Sequence, residues 1–227
     1  VKGTMPNLNQ TPAISIVGTR KPTPYGSLVC KQIASVVATA KVIVISGGAL
    51  GIDTLAHQSA LDADGTTLAV LGCGVDYPYL KENRQLRDQI VAHGALISEY
   101  PPQTPASPWY FPIRNRLIAA LSLGTVVIEA GEKSGSLITV DIGLEQGKNI
   151  YALPGNFHAS LSRGCHQLIQ AGAKLVYDPK DILEDFDRSL FPINESKEKK
   201  LTLDKSEQLV YASLRLGPKD IDTISMT

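Results

Sequence analysis

Between Phe111 and Thr139 the chain sets a basic triplet, Arg114-Asn115-Arg116, ahead of a loop rich in backbone donors, Lys133-Ser134-Gly135-Ser136. Arginine carries a planar fork of donors that matches phosphate oxygens. A Ser/Gly turn that opens a helix aims main-chain N–H groups and the positive end of the helix dipole outward. A short apolar helix, Arg116–Ser122, and a β-rich run, Thr125–Ile128, separate the two groups. Donor groups at opposite ends of one helix–strand unit suit a ligand with several phosphates. No strong nucleophile or metal cluster lies among them, so the pattern reads as a binder before an enzyme.

Two further segments offer the same chemistry. Gly18-Thr19-Arg20 follows an apolar run directly, giving a tight turn, a hydroxyl and a guanidinium. Ser46-Gly47-Gly48, continuing as Ala49-Leu50-Gly51, places three glycines before a helix, where amides can approach an anion. The spacing is GGxxG; it is neither the GxGxxG dinucleotide pattern nor a Walker A loop, since no GK[ST] follows. Trp109-Tyr110-Phe111 stands just before the basic triplet. Rings beside arginines form the usual surface for unpaired bases, the ring stacking and the guanidinium holding phosphate. Phe111, which adjoins the triplet, is the strongest candidate of the three.

Other titratable groups read more plainly. Asp53 and His57 share a helical face, and with no third ligand nearby they read as a capping Asp and a packed His. Asp76 reads as a turn residue bonded to local backbone. Glu99 and Glu129 each close a predicted strand, either as an acid–base pair or as partners of Arg114 or Arg116. His158 and His166 read as polar loop residues.

The elements that must position these residues alternate. Apolar runs at Ala13–Gly18, Lys41–Ser46, Thr66–Leu71, Ala95–Glu99, Thr125–Ile128, Ile150–Leu153 and Lys174–Tyr177 are separated by helical patterns near Val29–Ala38, Ile52–Ala63, Asn83–Ala92, Arg116–Ser122, Ser136–Gln146 and His166–Ala171. Continuous Val/Ile/Leu strands between helices predict a mainly parallel, doubly wound α/β sheet covered on both faces. Right-handed crossovers put the strand-to-helix loops on one edge, where such sheets bind ligands. Those loops are Thr19–Gly26, Gly47–Gly51, Gly72–Pro78, the proline-rich Tyr100–Pro112, Gly131–Gly135 and Pro154–Gly164. They hold or adjoin most of the chain's unusual residues.

Composition narrows the class. The 227 residues are 43% hydrophobic, enough for one sizeable core and a small appendage. Lys+Arg 22 against Asp+Glu 22 leaves no global basic field, so an anion site must be a local patch. Cys30, Cys73 and Cys165 form no CxxC pair, which suits a reducing cytoplasm and argues against zinc. No stretch reaches transmembrane length, and the start lacks a signal-peptide core. Three regions emerge: an α/β domain at 1–186, a charge-rich linker at 187–202 containing SKEKK, and helical sequence at 203–227 that begins like a helix-turn-helix unit and breaks off. The chain reads as a fragment of a longer one.

In combination the motifs resemble the DNA-processing protein A family (DprA, also called Smf). The segments that carry the resemblance are IVGTRKPTPYG, SGGALGIDTLAH, AVLGCGVDYPYLKEN, ISEYPP, FPIRNRLIAALS, VVIEAGEKSGSLIT and ALPGNFHASLSRGCHQLIQAGA, in family order over nearly all of residues 13 to 186. The resemblance implies an extended Rossmann-like domain, without catalytic activity or cofactor, that binds single-stranded DNA. It further implies a homodimer that loads RecA recombinase onto incoming strands during natural transformation. By position it implies DNA contacts at Gly18, Thr19, Arg20, Ser46, Gly47, Gly48, Phe111, Arg114, Asn115, Arg116, Lys133, Ser134, Gly135 and Ser136. Members with an N-terminal helical domain and a complete C-terminal winged helix have parts that this sequence lacks or cuts short. For the dimer, the apolar stretches Leu168–Ala171 and Ile182–Phe186 are the candidate surfaces. The rival reading is a nucleotide-processing phosphoribohydrolase of the lysine-decarboxylase-like (LOG) type. That type carries PGGxGTxxE, and EAGEKSGSLIT lacks both the PGG and the later Glu.

Overall fold

The computed structural model describes residues 1–186. The linker expected at 187–202 and the winged-helix-like start expected at 203–227 lie outside the described residues.

The first parallel strand, β2 (Ala13–Val17), is buried at all five positions, as are all four of β3 (Ile43–Ser46), β4 (Thr67–Val70) and β6 (Gly124–Val127). A strand covered on both faces must be apolar throughout or satisfy its polar groups inside the sheet. Ser15 does the latter, donating to Thr125 Oγ1 at 2.8 Å across the β2–β6 pair. With β5 (Ala95–Ile97), β7 (Asn149–Ala152), β8 (Lys174–Leu175) and the short β1 (Lys2–Gly3), the sheet order is β1-β5-β4-β3-β2-β6-β7-β8. Every pairing is parallel except β1 on β5. The expected parallel sheet is therefore present. The antiparallel edge strand was not foreseen, since two residues carry no periodicity to read.

Among the described residues six helices supply the crossovers, α1 (Pro24–Thr39), α2 (Ile52–Asp62), α3 (Arg84–His93), α4 (Tyr110–Ala120), α5 (Gly135–Glu145) and α6 (Arg163–Gln170), and the short α7 (Lys180–Leu183) follows β8. Alternate strand residues face opposite layers. Ile14 and Ile16 of β2 pack with Ile33, Val37, Ile52 and Ala56 of α1 and α2. Ala13 and Val17 pack on the other side with Ile118 of α4, Val140 of α5 and Cys165 of α6. Leu86 and Ile90 of α3 close a third cluster with Leu71 and Leu96. Ile182 and Phe186 also lie in the first cluster, against Tyr151 and Leu153, at 0% and 4% exposure. Those two residues are core of this unit and are not open to a second copy.

One helix begins earlier than its sequence suggests. The expectation ended a proline-rich loop at Pro112 and began the helix at Arg116, whereas α4 starts at Tyr110 and runs through Pro112. A proline in the first turn removes an N–H that has no intrahelical partner in any case, so the helix accepts it there.

The order of strands sets the site. β2 and β6 are direct neighbours in register Ser15↔Thr125 although far apart in sequence. The chain leaves β2 through α1 toward β3, and leaves β6 through α5 toward β7, on opposite sides. Their carboxyl ends thus flank the point where the winding reverses, and the loops there are forced apart into a crevice.

Candidate nucleic-acid interface

A cleft of about 640 Å³ occupies that crevice. Gly18, Thr19 and Arg20 line it from the end of β2; Phe111, Arg114 and Asn115 line it from α4. Ser134, Gly135 and Ser136 line it from the start of α5. Nine of the residues expected to bind DNA are thereby brought together from three separated segments.

Arg114 is the pillar of the floor. It is 5% exposed, and its Nη1 donates to the Gly47 carbonyl at 2.7 Å and to the Val70 carbonyl, with Nε on Asn115 Oδ1 at 3.2 Å. The Asp53 carboxylate sits beneath the same loop, accepting from the N–H groups of Gly47 at 3.1 Å and Ala49 at 3.2 Å. Burial pushes the Asp53 pKa up, while the Arg114 charge and these N–H groups oppose that shift. Asp53 therefore anchors the glycine loop from inside its helix; the N-cap position belongs to Gly51, which has φ of 81°. A β-carbon at Gly51 would strike the backbone of Thr19 and Arg20, so this glycine lets the two loops nest.

Phe111 stands between two cations. The guanidinium carbon of Arg20 is 5.7 Å from its ring centroid and that of Arg114 is 5.9 Å. Tyr79 tilts against the same ring at 5.5 Å. Arg20 is exposed, so its donors face solvent while its plane is oriented by the ring. On the opposite wall, Ser134 caps α5, its Oγ lying 2.8 Å from Ser136 Oγ and accepting from the Ser136 N–H at 3.4 Å. Asn115 Nδ2 reaches the Gly135 carbonyl at 3.4 Å, tying α4 to this turn. Gly135 has open space where a side chain would stand, so its main chain is bare to the cleft. The result is a guanidinium-and-ring wall facing a helix N-terminus, an arrangement complementary to a phosphate with an adjoining base.

The remaining expected residues lie outside the lining. Ser46 is fully buried and donates to the Ile16 carbonyl at 2.7 Å; Gly47 and Gly48 belong to the supporting loop. Arg116 points away from Arg114, because successive helical residues are turned by about 100°. It pairs with Glu99 at the surface. Lys133 is exposed and stands just before the α5 turn. Glu99 and Glu129 do not pair with each other: Glu129, 4% exposed, accepts from the Thr23 N–H at 2.9 Å and from its hydroxyl. This locks the N-terminus of α1 to the switch strand.

His57 and His158 sit as expected, whereas His166 lies in α6 and not in a loop. His57 is fully buried, its Nδ1 2.7 Å from Thr67 Oγ1, which itself donates to the Val44 carbonyl. That chain makes Nδ1 the protonated nitrogen. Burial, then the Arg114 charge, lowers its pKa to about 3. His166 Nε2 lies 3.1 Å from the Gly155 carbonyl, and His158 is exposed. Asp76 binds Lys2 at 2.8 Å rather than local backbone, an interaction created by the unforeseen β1. Tyr79, Ser107 and Thr139 line the cleft without having been singled out. Tyr79 directly follows CGVDYP, the loop after β4 at the binding edge, and that position was its only sequence signal. Among the described residues no helix is long and apolar enough to cross a membrane.

Comparison with known proteins agrees with this geometry. The model of the family "DNA recombination-mediator protein A" matches residues 1–187. The DNA processing protein DprA of Bacillus subtilis is 41% identical over 184 residues, 81% of this chain and 62% of that protein. The chain thus spans under two thirds of the length of that curated relative. The crystal structure of DprA from Streptococcus pneumoniae superposes with a TM-score of 0.76 at 40% identity, covering 82% of this chain and 65% of that one. A Helicobacter pylori DprA structure, described for its mode of binding single-stranded DNA, gives 0.75 at 29% identity over 82% and 86%. A molybdenum cofactor binding protein from Rippkaea orientalis shares the fold alone, at a TM-score of 0.54 and 19% identity. With the family's match running through the whole of the described sheet, the chain belongs to the DNA recombination-mediator protein A family.

Proposed function

We propose that this chain binds single-stranded DNA in the cleft at the winding reversal and works as a recombination mediator without catalysing a reaction. The observation that carries this reading is Phe111, held between Arg20 and Arg114 across from the α5 N-terminus. A ring between guanidinium groups takes an unpaired base and its phosphate; a paired base has no face to offer. Contacts from Gly18, Thr19, Arg20, Phe111, Asn115, Ser134, Gly135 and Ser136 would be direct. Ser46, Gly47, Gly48 and Arg114 would act by holding the wall in place, and Arg116 and Lys133 would meet backbone beyond the cleft.

The same reading assigns the chain to the cytoplasm as a homodimer that loads RecA recombinase onto strands entering by natural transformation. This part is supported by family membership. Leu168–Ala171 stays a candidate dimer surface, with Leu168 and Ile169 only partly buried. The test is a titration of labelled oligo-dT against a matched duplex at two salt concentrations. Single-strand preference and a steep salt dependence are expected. Equal affinity for duplex would remove the reading. Light scattering that gives a monomer mass would remove the dimer.

A further inference from the structure

We infer that Trp109 is a stacking station for a second base of the same DNA strand, just outside the cleft and continuous with it. The inference rests on the single-strand reading above. Of the three consecutive aromatics, one serves the cleft and one is committed to the protein. Phe111 is held by the arginines, and Tyr110 stacks on Tyr100 with centroids 4.1 Å apart. Trp109 is 79% exposed.

Its place in the chain argues against an accidental surface ring. Trp109 occupies the N-cap position of α4 and makes no side-chain capping hydrogen bond. Ser, Thr, Asp or Asn would stabilise the helix there, and an indole has no acceptor to offer. Local stability is forgone at that position, which is where a binding role is expected to override it. The two residues before it, Ser107 and Pro108, line the rim of the cleft. A strand leaving the cleft across that rim meets the indole next.

The backbone under Trp109 is held in place. The loop that delivers Trp109 is tied down by Gly74 N–H on the Thr104 carbonyl at 2.9 Å and Asp76 N–H on the Pro102 carbonyl at 3.0 Å. Tyr110 N–H bonds the Ser107 carbonyl at 3.0 Å and closes the turn. With the backbone beneath the indole already held, only the side-chain rotamer has to be ordered when a base stacks on it. Along α4, Trp109, Ile113 and Arg116 are all exposed and fall at i, i+4 and i+7, one stripe about 10 Å long. The stripe ends in a cation. Its partner Glu99 is also exposed, so the pair is weakly held and a phosphate can replace the carboxylate.

Trp109 is the sole tryptophan of the 227 residues, so its fluorescence reports the site without labelling. In the full chain without DNA, iodide should quench the emission as it does a solvated indole. Oligo-dT should quench it further and shield it from iodide, whereas an abasic oligonucleotide of equal length should bind without that change. Trp109→Ala should weaken oligo-dT binding by about 5- to 100-fold at an unchanged melting temperature, with Trp109→Phe retaining most of the affinity. An indole already shielded from iodide without DNA, or equal quenching by the abasic strand, would overturn the inference. So would Trp109→Ala affinity within about twofold of the parent, far below one stacked base. If that last result came with a large loss in Arg20→Ala, the cleft reading would stand and only the second station would fall. Absence of any oligo-dT binding by the parent chain would remove both.

Discussion

Arg114 and Asp53 meet across the backbone of Gly47, each with a polar atom 2.7 Å from where a β-carbon at that position would stand. The cleft floor depends on this closure. Arg114 holds the loop by its carbonyls and Asp53 holds it by its N–H groups. Both side chains are buried, so neither can swing away to admit a methyl group. Gly47→Ala should cost about 1–3 kcal/mol by overpacking. Arg114→Met should cost more, about 3–5 kcal/mol, because it strips two buried carbonyls of their donor and leaves the Asp53 charge unbalanced. At about 2–4 °C per kcal/mol for a domain of this size, the second variant should melt roughly 10 °C lower. A calorimetric scan showing an unchanged midpoint for Arg114→Met would contradict the role given to it.

The four central strands were legible because each is buried end to end, and such strands read as unbroken apolar runs. Crossover handedness then put the strand-to-helix loops on one edge, which is why the cleft fell among them, whereas the strand order came only from the structure. The start of α4 was misplaced for a local reason. Pro112 looked like a barrier to helix, yet it sits in the first turn of α4, and the helix then sends Arg114 inward and Arg116 outward. Consecutive charges in a sequence look like one patch until the backbone period is known. The Glu129–Thr23 contact joins residues 106 apart, and nothing local in either segment announces it.

His57 makes stability depend on pH. Its folded pKa of about 3 lies below its ordinary value of 6.5. In that interval the unfolded chain binds a proton that the native chain does not, so stability is complete above about pH 6.5 and falls as pH drops toward 3. The slope from this residue alone is about 1.4 kcal/mol per pH unit. His57→Phe fills similar space and should flatten the acid limb by one proton. Urea melts of both proteins at several pH values between 4 and 7 will compare the slopes; parallel curves would rule His57 out as their source.

Gly26 and Glu129 are coupled through space. A β-carbon at Gly26 would collide with the Glu129 carboxyl group, which is held by Thr23 one turn earlier. Gly26→Ala should therefore destabilise by about 1–3 kcal/mol even though alanine favours helices. Removing the carboxylate removes the collision. In the Gly26→Ala/Glu129→Ala double variant the two losses should fall short of their sum by at least about 0.5 kcal/mol. Additive losses in chemical denaturation would mean that α1 shifts to relieve the clash.

Arg20 and Arg116 should separate in a salt titration. Arg20 is exposed within the cleft and oriented by Phe111, whereas Arg116 lies outside it and is engaged by Glu99. Neutralising one phosphate contact on a single strand lowers the slope of log K against log salt by about 0.7. Arg20→Ala should show that full decrement together with loss of orientation at Phe111, and so the larger fall in affinity. Arg116→Ala should lose less at the same salt, because part of its interaction is already spent on Glu99. Glu99→Gln should move the other way, strengthening binding by freeing the guanidinium and removing a carboxylate beside the strand. Equal losses for both arginine variants would mean that the strand is gripped as firmly along the outer face of α4 as within the cleft.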